Sequence, residues 1–323
     1  MKENSKQNGN LNIPIPDSAF NLETLSLAND YEGEVVATLI SAKANTGKRK
    51  SVLYLHGYVD YFFHPHLAEN FLANGFDFYA LDLRKHGRSL LPHQRPNFCK
   101  DLGEYFEEIS IAVRKIYRDG NGQVFLLGHS TGGLTAALYM NFGQEKNLIS
   151  GLILNSPFLD FNLSGFQKSL SLPIARLMAA AFPFSKVNGT IPRAYGQSLH
   201  KDYNGEWDYN LDWKPVDGFS TYFAWIVATH KAHQKLKNST IEIPVLVLHS
   251  SKSLKLSKFK EEAAHADLIL NFEDIKRLGP KLGKNVTLAE IKNAVHDVFL
   301  SKKEVRGKAY DVMFNWLNNS DYF

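Results

Sequence analysis

The chain has 323 residues, of which 44% are apolar, and a formal net charge of +4 at pH 7. This length suits one large α/β domain with an insertion, and the apolar share can fill a sizeable core. The basic residues are spread out, which argues against a nucleic-acid partner, and the single cysteine, Cys99, excludes a disulfide framework and a cysteine-based metal site.

The chain begins with a polar segment, MKENSKQNGN (residues 1–10), that lacks the apolar region of a signal peptide. No later stretch holds about 18 uninterrupted apolar residues, so the sequence predicts no transmembrane helix. We therefore expect a soluble cytoplasmic protein.

Strand-like patterns recur from residue 34 onwards. Residues 34–42 (EVVATLISA) alternate as a half-buried strand does. Five later runs are almost continuously apolar, which is typical of strands buried on both faces of a mostly parallel sheet. These runs are SVLYLHG (51–57), FDFYALDL (76–83), QVFLLGHS (123–130), LISGLILNS (148–156) and IPVLVLHS (243–250).

Helical patterns lie between these strands. HLAENFLANG ends in a glycine stop, and TGGLTAALYMNFG follows its strand without a linker. A longer helix is predicted over residues 101–120, DLGEYFEEISIAVRKIYRDG, with Asp101 as its expected N-cap and Gly120 after its end. Because strands alternate with helices, we expect right-handed crossovers and an α/β fold with a doubly wound sheet.

One segment, residues 157–240, interrupts the alternation with helix-like pieces such as LPIARLMAAAFPF and no strong buried strand. An excursion of this length between two core strands is typical of a cap over the sheet edge where chemistry takes place. We therefore expect a single domain, residues 1–323, with a core of about 20–156 and 241–323 and a helical cap of about 157–240.

The stretch GHSTGG (128–133) ends a buried strand and opens a helix. In that setting the pattern G-x-S-x-G predicts a strained turn that projects Ser130 above the sheet, with glycine needed at 128 and 132 for close backbone approach. The positive end of the helix dipole favours an anion that develops there. Ser130 is therefore the candidate nucleophile.

Two other stretches supply partners for a nucleophilic serine. LHGYVDYF (55–62) breaks from a strand into a loop, so the backbone N–H groups of Tyr58 and Thr131 are the candidate oxyanion donors, and His56 is expected to be structural. The candidate base is His296, which follows a late strand-like stretch. Asp297 is a poor orienting partner because successive side chains point apart.

A metal site is not expected. His64-Pro65-His66 has a spacing that metal sites use, but no cysteine or acid clusters beside it in the sequence. We also expect no cofactor.

These motifs resemble the α/β-hydrolase superfamily, and within it the monoacylglycerol lipase and lysophospholipase branch, which is often described as serine aminopeptidase-like. The resemblance spans roughly residues 30–320 and rests on His56-Gly57, DLRKHGRS (82–89), GHSTGG and the late VHD. It implies Ser130 as nucleophile, His296 as base, and the amides of Tyr58 and Thr131 as oxyanion donors. Lys85 replaces a glycine of the second motif, which we interpret as a loop variation.

The acid is missing from its usual place. The resembling branch has G-x-x-D just past the strand that ends near residue 250, whereas this chain has Ser250-Ser251-Lys252-Ser253. The superfamily order of Ser, acid and His places the acid between residues 130 and 296. We infer an insertion of about a dozen residues and favour Asp267, with Asp274 and Asp160 as alternatives.

The leading hypothesis is a serine hydrolase that cleaves carboxylic esters through an acyl-enzyme. Amide cleavage by the same triad and a non-catalytic binding protein of this fold are the alternatives. The expected partner is a small ester or lipid. A transient contact of the cap with a membrane surface is compatible with the mild positive charge, although the charge alone does not predict it. The candidates for an acyl-chain lining in the cap are Leu172, Ile174, Leu177, Met178, Phe182 and Phe184.

Overall fold

The computed structural model describes residues 20–44, 47, 50–187 and 191–319. The polar segment 1–10, on which the expectation of no signal peptide rests, lies outside the described residues. None of the helices in the described part of the chain combines the length and apolar character needed to cross a membrane.

An eight-stranded sheet forms the centre of the molecule. Within the described residues, the strands are β1 (Asn21–Ser26), β2 (Val36–Ala42), β3 (Lys50–Leu55), β4 (Asp77–Asp82), β5 (Gln123–His129), β6 (Ile149–Asn155), β7 (Lys186–Val187), β8 (Thr221–Tyr222), β9 (Val245–Ser250) and β10 (Val286–Ile291). The central sheet has the order β1-β2-β4-β3-β5-β6-β9-β10, and β7 and β8 form a separate pair. The first two strands pair antiparallel, and β2 is antiparallel to β4, while the remaining neighbours in the sheet are parallel. The expected mostly parallel sheet is thus confirmed.

Helices cover both faces of the sheet, as the alternation of elements predicts. The helices are α1 (Pro65–Ala73), α2 (Phe106–Arg118), α3 (Thr131–Phe142), α4 (Gly165–Ala181), α5 (Arg193–Leu199), α6 (Phe223–Lys237), α7 (Phe272–Leu278) and α8 (Lys303–Leu317). Side chains of α2, α3 and α6 share one apolar core, and side chains of α1 and α8 share another. The fold is therefore doubly wound.

The predicted helix over residues 101–120 begins in a different form. Asp101 caps a 3₁₀ turn, Leu102–Tyr105, in a capping box with Glu104, and α2 continues from it. Gly120 follows the end of α2 with a φ of 93°, a conformation that glycine adopts without steric cost. The predicted signals are thus confirmed at both ends.

The expectation that residues 34–42 are half-buried is wrong. All residues of β2 except Ser41 are buried. Thr38, a polar residue on this strand, accepts a hydrogen bond from the Ser89 hydroxyl at 3.0 Å, while Ile40 packs in the core beneath α1 and α8. Both faces of the strand are covered, since Leu39 belongs to the core that α2, α3 and α6 share and Ile40 to the core that α1 and α8 share.

Lys85, which replaces the motif glycine, adopts a φ of 62° and is fully buried. Its ammonium group pairs with the carboxylates of Asp30 and Glu32, each at 2.6 Å. The substitution thus ties the loop after β4 to the segment between β1 and β2.

Residues 157–240 leave the sheet after β6 and return before β9. They contain α4, α5, α6 and the β7–β8 pair, and α4 packs against α6. Side chains of α6 such as Trp225 and Ala232 belong to the same apolar core as side chains of α2 and α3. Because the segment shares this core with the sheet and its helices, we propose that it is the cap of a single domain.

Candidate active site

Ser130 stands in a strained turn between β5 and α3. Its φ of 54° and ψ of −116° lie outside the regions that non-glycine residues usually occupy. A Cβ atom at Gly128 would lie 2.5 Å from the Gly132 carbonyl oxygen, and one at Gly132 would collide with the His56 carbonyl oxygen. Glycine is therefore required at both positions, as the sequence predicts.

Ser130, His296 and Asp267 form one buried chain of hydrogen bonds. The Ser130 hydroxyl donates to His296 Nε2 at 2.9 Å, and His296 Nδ1 donates to Asp267 Oδ2 at 2.8 Å. This tautomer is assigned from the acceptor character of the carboxylate. The three side chains follow β5, β9 and β10, whose carboxyl ends lie at one edge of the sheet because these strands are parallel.

The local backbone explains how Asp267, 17 residues beyond β9, reaches His296. Ser253 and Asp267 form a parallel bridge, in which the Leu254 N–H donates to the Asp267 carbonyl and the Asp267 N–H donates to the Lys252 carbonyl, both at 2.9 Å. Residues 254–266 therefore leave the sheet edge and return to it. Asp267 Oδ1 also accepts from the N–H groups of Ile269 and Leu270, at 2.7 and 2.8 Å, which fixes the carboxylate.

The two alternative acids have other partners. Asp160 pairs with Lys168 at 2.8 Å. Burial raises the pKa of Asp160, but the hydrogen bond and the charge of Lys168 outweigh this effect and the pKa is lowered. Asp274 lies in the first turn of α7, where Asn271 is the N-cap, and it pairs with Arg277. The hydrogen bonds described for His296 involve neither acid.

Asp297 points away from His296, as expected, but it has a positioning contact that the sequence did not indicate. Its carboxylate accepts from the Asn155 side-chain amide at 2.6 Å and lies 3.2 Å from His64 Nε2. Burial opposes its ionisation, yet the neighbouring His129, His64 and Asn155 lower the pKa of Asp297. Since the Asn155 carbonyl accepts from the Ser130 N–H at 3.0 Å, this contact links the turns that carry Ser130 and His296.

The other histidines near the site have structural contacts. His56 donates to the Gly57 carbonyl and accepts from the Leu83 N–H, at 2.8 and 3.0 Å. Burial lowers the pKa of His129 to about 4, so this ring is neutral near pH 7 although its centroid lies 4.8 Å from that of His296. Within the described ranges, no group of three or more His, Cys, Asp or Glu side chains could hold a metal ion.

The candidate oxyanion donors, Tyr58 and Thr131, both border the cavity beside Ser130. Thr131 is the first residue of α3, and the first N–H groups of a helix have no partner within it. Gly57 brings the other loop close, since a Cβ there would lie 3.2 Å from Ser130 Cβ. The Tyr58 ring stacks on Trp225 of α6, with 4.1 Å between centroids.

A cavity of about 560 Å³ opens above Ser130 between the sheet edge and residues 157–240. Of the six apolar candidates, Leu172 and Ile174 line it, and the other four do not. Leu177 and Phe182 are exposed, Met178 is half-buried and Phe184 packs on Phe98. The apolar lining, which sequence reasoning mostly missed, is Phe158, Phe161, Leu163, Leu172, Ile174, Ala175, Val187, Ile191, Phe223, Trp225, Ile226, Ile269 and Leu270.

The family model described as serine aminopeptidase, S33, matches residues 46–303. A comparison with curated protein sequences found no match.

Solved structures of similar fold include two named as monoacylglycerol lipases. The Saccharomyces cerevisiae monoglyceride lipase, solved with a substrate analogue, has a TM-score of 0.69 and 20% identity over 94% of this chain and 98% of its own. The Paleococcus ferrophilus monoacylglycerol lipase has a TM-score of 0.64 and 20% identity over 92% and 98%. Est1E from Butyrivibrio proteoclasticus, with bound ferulic acid, has a TM-score of 0.53 and 18% identity over 91% and 99%. The likeness confirms the α/β-hydrolase fold.

The contacts of the three candidate acids predict different effects of their removal. Asp267→Asn is expected to lower kcat for a p-nitrophenyl ester by about 10⁴, because the imidazole loses its tautomer and orientation. The matched control, Asp274→Asn, should keep kcat and lose at most about 1 kcal/mol of helix stability. Steady-state kinetics and thermal unfolding of both variants test this, and full activity of Asp267→Asn would place the acid elsewhere.

Proposed function

The chain belongs to the serine aminopeptidase S33 family, and from this membership and the site geometry we propose that it is a serine hydrolase of carboxylic esters. The observation that carries the proposal is the continuous chain of hydrogen bonds from Ser130 through His296 to Asp267. A serine beside an oriented base can become a nucleophile, whereas an isolated serine is too weakly acidic.

The reaction proceeds through an acyl-enzyme. His296 Nε2 takes the hydroxyl proton as Ser130 Oγ attacks the acyl carbon, and the amides of Tyr58 and Thr131 hold the oxyanion. His296 then gives its proton to the departing alkoxide, and the Ser130 ester remains. A water molecule, deprotonated by His296, attacks this ester, and the carboxylic acid leaves as Ser130 regains its proton. The Asp267 side chain orients the imidazole and stabilises the imidazolium.

The cavity favours an ester over a peptide with a free amino terminus. Such a peptide carries an ammonium group, which a binding site meets with an unpaired carboxylate. Asp60 is the one acid among the described residues that line the cavity, and it is already paired with Lys214 at 2.7 Å. The rest of the lining is mostly apolar. This supports ester cleavage and argues against the aminopeptidase activity that the family description names.

The substrate class follows from the apolar lining. Residues of α4 and α6 that border the cavity, including Leu172, Ile174 and Ile226, offer an apolar surface to an acyl chain. Similar folds named as monoacylglycerol lipases point in the same direction. We therefore propose a lipid ester with an apolar acyl group as substrate, and no role for a nucleic acid.

The outer face of α4 supports a transient contact with lipid surfaces. Phe166, Leu170 and Leu177 are 73%, 56% and 70% exposed and recur on one face at helical spacing. Ile174 is also exposed and lines the cavity, so this apolar face adjoins the entrance. Exposed apolar side chains beside an acyl-binding cavity fit a lipid surface that delivers the substrate.

A fluorophosphonate probe tests the nucleophile without knowledge of the substrate. We expect the wild-type protein to be labelled at Ser130, and Ser130→Ala to lose both labelling and turnover, with a fall in kcat of about 10⁶. Mass spectrometry of the labelled peptide identifies the site. Ser169, an exposed cap serine, supplies the control variant Ser169→Ala, which should behave as wild type. Labelling that persists in Ser130→Ala would assign the nucleophile to another residue.

Ester and amide cleavage are separated by parallel assays. We expect p-nitrophenyl butyrate to be hydrolysed far faster than aminoacyl p-nitroanilides at equal concentration. A higher kcat/KM for the anilides would overturn the ester assignment and favour a peptidase.

The apolar cavity predicts a preference for longer acyl groups. Each buried methylene contributes about 0.8 kcal/mol, so kcat/KM should rise up to about fourfold per methylene across short p-nitrophenyl esters. The series from acetate to octanoate, measured below the critical micelle concentration, checks this. A strict preference for acetate would contradict an acyl site in this cavity.

The exposed face of α4 predicts vesicle binding. Leu170→Glu/Leu177→Glu should reduce cosedimentation with phosphatidylcholine–phosphatidylglycerol vesicles and leave hydrolysis of soluble p-nitrophenyl acetate unchanged, because neither side chain lines the cavity. Leu22→Glu/Phe142→Glu adds the same charges at exposed apolar positions outside the cap and is the matched control. Equal binding by all three proteins would refute a contact through α4.

A further inference from the structure

The loop that carries Tyr58 is strained. It runs from the end of β3 through Gly57 to Asp60, and Val59 within it has a φ of 50°. Positive φ is a genuine outlier for a β-branched residue. Backbone of this kind persists only where the surroundings hold it, at a cost of about 1–3 kcal/mol. Something must therefore keep this loop in its observed conformation.

Lys214, which lies in the cap segment between α5 and β8, supplies such a constraint. Its ammonium group donates to Asp60 Oδ1 at 2.7 Å and lies 3.4 Å from the carbonyl oxygen of Val59, the strained residue itself. The other carboxylate oxygen of Asp60 accepts from the Gly57 N–H at 3.2 Å. One side chain from the cap thus holds the loop at both Val59 and Asp60.

This ion pair is shielded from solvent. Asp60 is 3% exposed and Lys214 is 8% exposed, and the ammonium group lies near the rings of Phe63 and Tyr209. Removing one partner of a buried pair leaves an uncompensated charge, which is far more disruptive than removal of an exposed one. The pair and Ser130 line the same cavity, and a Cβ on Gly57 would lie 3.6 Å from Asp60 Oδ2 and 3.2 Å from Ser130 Cβ.

The electrostatic surroundings of Asp60 depend on Lys214. Burial opposes ionisation, but Lys214, followed by His64, His129 and His56, lowers the pKa of Asp60 to about 2. Asp60 also interacts electrostatically with other titratable groups, which are the phenols Tyr54, Tyr61, Tyr195 and Tyr209 and the imidazole His86. Lys214 is the one permanently charged cation among these groups, so its loss should raise the pKa of this carboxyl.

We propose that Lys214 is a positioning residue, which holds the Gly57–Asp60 loop so that the Tyr58 N–H points at the developing oxyanion. This inference rests on the proposed function and adds to it that the oxyanion site is complete only when the cap is seated on the core. Lys214 acts through Asp60 and Val59 and does not take part in the chemistry.

The first test separates kcat from KM. Lys214→Met should lower kcat for p-nitrophenyl butyrate by about 10- to 100-fold, because loss of one oxyanion donor costs about 10²–10³ and a displaced loop loses part of that. KM should stay within about twofold. Lys214→Arg keeps the charge and should recover most of kcat. Lys168→Met breaks the cap ion pair with Asp160 and is the control, with kcat expected near that of wild type.

The second test uses pH and a double variant. In Lys214→Met the pKa of Asp60 is higher than in wild type, so more of this carboxyl is protonated at pH 5 than at pH 8. The protonated acid still accepts from the Gly57 N–H, and it places no charge in the buried site. The kcat of Lys214→Met relative to wild type should therefore be higher at pH 5 than at pH 8. Asp60→Asn mimics the neutral acid, so Lys214→Met/Asp60→Asn should exceed Lys214→Met in kcat at pH 8 and show a pH-independent ratio to wild type.

The outcomes distinguish the two proposals. A wild-type protein that neither turns over esters nor reacts with a fluorophosphonate would overturn the proposed function and this inference together. An active wild type whose Lys214→Met variant keeps kcat, or shows a raised KM with kcat unchanged, would overturn only the role of Lys214. If Lys214→Met unfolds below the assay temperature, Lys214→Arg and the double variant decide. A folded double variant with the kcat of wild type at pH 8 would overturn the role, because the loop would then keep its conformation without Lys214.

Discussion

The left-handed backbone at Ser130 is the constraint on which the rest of the site depends. It exists because Gly128 and Gly132 let β5, α3 and the end of β3 approach more closely than any side chain would permit. The same approach brings the Gly57 loop beside Ser130 and aims the start of α3 at the cavity. The packing of the sheet compensates for the strain and fixes the direction of the Ser130 side chain.

Parallel strand ends explain how distant residues meet at this turn. Ser130, Asp267 and His296 are far apart in the chain, yet each follows a strand of the β5-β6-β9-β10 series at the same edge. The parallel bridge between Ser253 and Asp267 returns the chain to the sheet edge after residues 254–266 have left it. An insertion at this edge is tolerated because the added loop lies outside the ladder and closes at little entropic cost.

Buried charges connect residues 157–240 and the surface loops to this framework. Lys214 with Asp60 and Lys85 with Asp30 and Glu32 each place an ammonium group out of solvent. Such pairs add little net stability, but they penalise arrangements in which one partner is missing. They therefore favour one arrangement of separate segments. One pair fixes residues 157–240 against the Gly57–Asp60 loop, and the other fixes the loop after β4 against the segment between β1 and β2.

The sequence by itself determined the features that depend on local pattern. Continuous apolar runs indicated the buried parallel strands, Asp101 and Gly120 indicated the ends of the helix that contains α2, and GHSTGG between a strand and a helix indicated the turn at Ser130. These signals suffice because they reflect the conformational preferences of a few neighbouring residues. The degree of burial of β2 was misjudged, and α5, α6 and α8 were not anticipated, because their packing partners are remote in the chain. The sequence favoured Asp267 but left Asp160 and Asp274 open, and only the tertiary structure decided which of them faces His296, since this depends on the partners of each acid across the fold. It also decided that Lys214 lies buried against the Gly57–Asp60 loop, because no local pattern records a contact between residues 154 positions apart.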